Sequence, residues 1–107
     1  MTEEFVTVKG TEYYVDTNGK LNLRKKEITD ISEIKGLETL TTIQTLDLYG
    51  NQIAEIKGLE NLTKLWMLEL KDNPIEENER YLRNKNVQDV VKYCQEKARK
   101  AKEGNGE

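Results

Sequence analysis

Few side chains here could do covalent or acid–base chemistry. Cys94 is the single cysteine and there is no histidine. A reactive thiol needs an accessible, electropositive setting, whereas Cys94 falls between Val91 and Ala98 on an apolar stripe at helical spacing, the place of a buried structural residue. Asp47 and Glu69 occupy matching places in "LDL" and "LEL", so they would sit side by side on neighbouring strands. A carboxylate pair suits glycoside hydrolysis or a hard cation, but an open surface with no third ligand assembles neither site. Without histidine, no His-based triad or Cys/His zinc site can form, and no Gly-rich phosphate loop is present. The expectation is a non-enzymatic protein with no cofactor and no metal.

The remaining candidates are contact residues. Trp66, the lone tryptophan, stands where Gln44 stands earlier in the chain; an interface anchor and a side chain packed beside a C-terminal cap are both open readings. The basic run "KARKAK" (97–102) is the solvated end of a helix, where cations suit the helix dipole. Charged residues make up 35% of the 107 residues with a net of only −3, so both signs are spread over the surface. That balance lacks the clustered basic excess of a nucleic-acid-binding domain. Apolar runs of a few residues cannot span a bilayer, and nothing near Met1 resembles a signal peptide. A cytoplasmic protein of one domain with a modest core is expected.

A recurrence must position these residues. Ile43, Leu46, Leu48, Asn51 and Ile53 return 22 residues later as Leu65, Leu68, Leu70, Asn73 and Ile75. "ISEIKGLETL" (31–40) precedes "IAEIKGLENL" (53–62) by the same 22. Upstream the register slips: "LNLRKKEI" (21–28) matches "LDLYGNQI" (46–53) at 25, and Lys26 takes the place of Asn51 and Asn73. Alternation in Leu46-Asp47-Leu48 predicts a short strand with the leucines inward. Asn51 and Asn73 are structural turn residues, whose amides can bond backbone groups stripped from the ladder where the chain bends. Ile53, Ile56, Leu59 and Leu62 recur every three residues, a spacing that predicts 3₁₀ turns over 53–62. One such unit cannot bury its own apolar edge, but stacked units can.

The pattern in "LDLYGNQIAEIKGLENLTKL", "LELKDNPI" and the degenerate "LNLRKKEITDISEIKGLETL" resembles the leucine-rich repeat family, specifically the 22-residue subclass of phosphatase-regulator-type and internalin-type repeats. The resemblance covers roughly residues 20–76. It implies an α/β fold, a short solenoid of about 2.5 to 3 repeats, and protein–protein recognition on a concave sheet.

Both ends of such a stack need closing. Phe5–Val8 and Tyr13–Val15 around Lys9-Gly10-Thr11, with a second turn at "DTNG", predict an N-terminal hairpin cap over residues 1–19 that feeds the repeats at 20–76. Residues 77–102 form a helical C-cap: Asn86 is a good N-cap, and Val87, Val90, Val91, Cys94, Ala98 and Ala101 make one apolar stripe of a helix over 87–102. Residues 103–107 are a frayed tail.

Counting outward from the strand leucines gives three ladders: Lys20/Thr45/Met67, Asn22/Asp47/Glu69 and Arg24/Tyr49/Lys71. A protein partner would meet Arg24, Thr45, Asp47, Tyr49, Met67, Glu69 and Lys71, with Tyr49 and Met67 as anchors. Three strands present on the order of 150 Å² of flat sheet, against ~800 Å² per partner in an ordinary interface, and the hairpin strands would widen it. The expected function is an interaction scaffold or adaptor. The alternative is a self-associating structural protein, since a narrow face gains area by pairing into a weak homo-oligomer.

Overall fold

The computed structural model describes residues 3–105. It is a small α/β fold with two sheets: β1 (Phe5–Val8) pairs antiparallel with β2 (Thr11–Tyr14), and β3 (Lys20–Asn22), β4 (Thr45–Asp47) and β5 (Met67–Glu69) form a parallel sheet in that order. Helix α1 spans Val87–Asn105.

Local chemistry accounts for each element. Lys9 and Gly10, at the β1–β2 turn, both take left-handed φ angles of 50° and 85°, the geometry whose twist matches a two-residue hairpin. Asp16 makes the second turn, its Oδ1 accepting from the N–H groups of Asn18 and Lys20 at 2.8 and 3.0 Å. In the parallel sheet Lys20 pairs with Thr45 and Thr45 with Met67, while Asn22 pairs with Asp47 and Asp47 with Glu69. The slip of 25 and then 22 residues is thereby built into the strand register. Leu21, Leu23, Leu46 and Leu48 point into the core.

The three extra residues of the first unit build a turn of their own. Ile28 N donates to Asn51 Oδ1 at 3.1 Å as Ile53 N donates to Asn73 Oδ1 at 3.0 Å, so Ile28 is the counterpart of Ile53. The chain then makes a 3₁₀ turn at Ile31–Glu33, whose N-cap Asp30 accepts from Ser32 N at 2.8 Å. Further 3₁₀ segments occupy Leu37–Thr39 and Glu77–Asn84. The expected 3₁₀ turns over 53–62 do not form a helix there. Isolated i→i+3 bonds link Leu59 to Leu62 and Leu62 to Leu65, so the return holds single turns without a continuous 3₁₀ segment.

The hairpin does not widen the parallel sheet. Thr7 and Lys35 exchange both main-chain bonds at 2.9 Å, which ties β1 to the return segment of the first unit instead of to β3. Val6 and Val8 enter the core from that side. At the other end, Asn86 Oδ1 accepts from Asp89 N at 2.9 Å and opens α1. Val90, Val91 and Cys94 are buried, but Ala98 and Ala101 are exposed, contrary to the single stripe read from the sequence. The apolar layer they would cover ends near Cys94, and the rest of the helix overhangs a groove of about 670 Å³ beside Ile34 and Leu37. The helix also continues to Asn105, past the expected tail boundary at 103, while 106–107 lie outside the described residues. No helix among the described residues is long and apolar enough to cross a membrane.

Candidate functional site

The outward face of the parallel sheet gathers the residues read as contact positions. Because side chains alternate along a strand, burying the leucines forces Lys20, Asn22, Thr45, Asp47, Met67 and Glu69 outward, and the parallel register sets them in two rows. Arg24, Tyr49 and Lys71 follow just beyond the strands, where main-chain bonds from Lys25 to Tyr49 and from Gly50 to Lys71, both 3.0 Å, carry the pairing onward.

Asp47 departs from expectation. It is only 4% exposed, not an open carboxylate beside Glu69. Arg24 Nε donates to its Oδ2 at 2.6 Å, Lys20 Nζ lies 4.0 Å away, and Tyr49 N donates to Oδ1 at 3.1 Å. The side chains of Arg24 and Lys20 lie over it, so its charge is spent within the sheet. The same contact raises the Arg24 guanidinium pKa above its ordinary value. Arg24 also lies over the Tyr49 ring, 4.8 Å from ring centroid to Cζ, with Lys25 Nζ at 5.9 Å. Asp72 raises the pKa of the half-buried Tyr49 phenol. Glu69 is half-buried and accepts from Lys71 N at 3.0 Å.

The apolar anchors collect on β5. Met67 is 47% exposed and Trp66, just before the strand, is 62% exposed. Of the two readings of Trp66, its exposure suits the interface anchor. The face thus has a polar, internally paired side on β3 and β4 and an exposed apolar side on β5.

Asn51 and Asn73 act beneath this face. Asn51 Oδ1 accepts from Lys26 N and Ile28 N at 2.9 and 3.1 Å, while Nδ2 donates to Leu23 O and Leu48 O, both at 2.9 Å. Asn73 repeats the pattern one unit on, with Ile53 N, Leu48 O and Leu70 O. Each asparagine serves its own unit and the one before it. The first unit has no predecessor, which explains why Lys26 can stand there. Its ammonium instead lies 5.0 Å from the centroid of the Tyr13 ring in the hairpin.

A second polar cluster was missed from the sequence. Glu79, 2% exposed, accepts from Ile56 N at 2.8 Å, from Lys97 Nζ at 2.7 Å and from the Tyr93 hydroxyl. Lys97 also reaches Glu55 at 2.8 Å and Ile56 O at 3.0 Å. Burial opposes ionisation of Glu79, but the Ile56 amide, Lys97 and Tyr93 outweigh it and hold its carboxyl below the ordinary range. Burial and the Glu79 carboxylate push the Tyr93 phenol up to about 12, away from the range of a base working near neutrality. Burial likewise pushes the Cys94 thiol up to about 11, which keeps it protonated and unreactive. The signal was present: Ile75, Glu79 and Leu82 share one helical stripe, and an acid on an inward stripe demands partners.

Among the described residues, no group of three or more His, Cys, Asp or Glu side chains is placed to hold a metal ion, and no buried side-chain nitrogen or oxygen lacks a hydrogen-bond partner. Comparison with protein-family models, with curated proteins and with solved structures returns no significant match.

Proposed function

We propose that the chain is a short leucine-rich repeat solenoid acting as a non-catalytic scaffold or adaptor in the cytoplasm, and that it takes a protein partner on the concave face of its parallel sheet. The observation that carries this reading is the exposure of Met67 on β5 and of Trp66 immediately before it. Large apolar side chains held in water on a rigid sheet suit the anchors of an interface, and tryptophan leads the residue types that dominate hot spots. Tyr49, pre-oriented by Arg24, adds an aromatic surface at low entropic cost, and Arg24 and Lys71 supply charge for orientation.

The test is a set of single substitutions read against partner binding in a pull-down from the native cytoplasm, then by titration. Met67→Ala, Trp66→Ala and Tyr49→Ala should each cost roughly 2 kcal/mol of affinity with the melting temperature nearly unchanged. Lys57→Ala lies on the return segment, where Lys57 pairs with Asp30 at 3.2 Å, and should leave affinity alone. Equal effects on the two sides would place the site elsewhere. Light scattering bears on the self-association reading: a mass that grows with concentration, and is restored to the monomer by Met67→Ala, would make the partner a second copy.

A further inference from the structure

The two edges of the parallel sheet are treated differently. At β3 the chain turns back on itself, with Asp16 N donating to Lys20 O at 2.9 Å and Asp16 Oδ1 accepting from Lys20 N, so the start of that edge is closed. At β5 nothing follows. Its bonds to β4 run through Met67 N to Gln44 O, Leu48 N to Glu69 O and Gly50 N to Lys71 O. In a parallel ladder alternate residues bond to opposite sides, so the N–H and C=O of Leu68 and the N–H of Leu70 face away from β4. Among the described residues no main-chain or side-chain group pairs with them. They open into a cleft of about 350 Å³ between β5 and the C-terminal cap, where Leu68, Leu82 and Val87 supply an apolar lining.

The charge around this cleft is one-sided. Lys71, Arg83 and Lys85 line it against a single carboxylate, Glu69, in a chain whose net charge is −3. Lys71 and Lys85 stand outside every ion pair among the described residues. From the open edge and this basic rim we propose that β5 takes an extended acidic segment of a partner protein as an added strand, with main-chain bonds to Leu68 and Leu70, alternate side chains against Leu68 and Val87, and carboxylates toward Lys85 and Lys71. A second copy fits less well. Pairing two β5 edges would bring two sets of lysine and arginine together, and like charges across an edge oppose association. The cleft shares Glu69 and Lys71 with the concave face, but Lys85 lines only the cleft and Tyr49 lies outside it, so substitutions at those two residues tell the sites apart.

The test uses the full chain and a capped peptide of alternating valine and glutamate, with hydrogen exchange read residue by residue. The Leu68 and Leu70 amides should slow about tenfold or more on adding peptide, while the Glu69 amide does not change. A valine–lysine peptide, and a valine–glutamate peptide N-methylated at alternate residues, should give no such protection. Lys85→Glu should weaken binding of the valine–glutamate peptide about tenfold, and Tyr49→Ala should leave it unchanged, which separates this site from the concave face. The proposal is overturned if Leu68 and Leu70 are not protected, or if all three peptides protect equally. It is also overturned if protection grows with protein concentration in the absence of peptide, because the edge is then filled by a second copy.

Discussion

The two ends of the molecule are closed by different physics. At the N-terminal end a strand does the work: β1 offers main-chain groups, and Thr7 and Lys35 satisfy one another directly. At the C-terminal end the cover is largely helical, and a helix spends its backbone groups internally. It therefore has to reach the last unit with side chains. Arg80 donates to Ile75 O at 3.0 Å, Arg83 to Asn73 O at 2.6 Å, Gln88 to Leu65 O at 2.6 Å and Gln95 to Glu60 O at 3.1 Å. Lys97 and Glu79 take the C=O and N–H of Ile56. A strand cap costs little side-chain entropy, whereas a helical cap fixes long polar side chains and one buried charge cluster. The C-terminal end should be where this protein is most easily broken.

The largest test of that contrast is truncation before Asn86. It would uncover Leu68, Leu70 and Ile75 and remove Gln88, Gln95 and Lys97 together, so the fragment 1–85 should aggregate or fail to melt cooperatively. A soluble fragment with a sharp thermal transition would reduce the helix to an appendage.

Next in size is Glu79→Ala. It leaves the Lys97 ammonium half-paired and the Ile56 N–H orphaned, and should cost about 2–4 kcal/mol in urea unfolding, discounted for the partial exposure of Lys97. The same residue sets a pH dependence. Its folded pKa lies below the ordinary 4.5, so its stabilisation is present above about pH 4.5 and is lost as pH falls below that value. Acid titration of the melting temperature should therefore be shallower in Glu79→Gln than in the parent. At the alkaline end, Tyr93 should contribute stability that fades between its ordinary 10 and about 12, a loss that Tyr93→Phe removes.

Between the ends, Asn51→Ala should cost roughly 1–3 kcal/mol, because Lys26 N, Ile28 N, Leu23 O and Leu48 O all lose a partner. The smallest effects belong to Gln52→Ala, exposed beside it, and to Lys26→Ala, each within about 0.5 kcal/mol. Should Lys26 prove as costly as Asn51, the asparagines would not owe their role to the preceding unit.

Much of the interior was legible in advance because its contacts repeat. Equivalent residues of successive units touch one another, so Leu46 over Leu21 and Asn73 after Asn51 print a period of 25 and then 22 on the chain, and the strand register follows from it. The hairpin turn and the Asn86 cap were legible for a local reason, since the groups they satisfy lie within a few residues. What only the tertiary structure decided are contacts that occur once, between residues far apart. Glu79 meets Ile56 and Lys97, β1 meets Lys35, and Arg24 and Lys20 close over Asp47. No period records such pairings. Whether a carboxylate at an outward position stays in water depends on which long cation from the neighbouring unit falls across it, and alternation along one strand fixes the direction of Asp47 but not its cover.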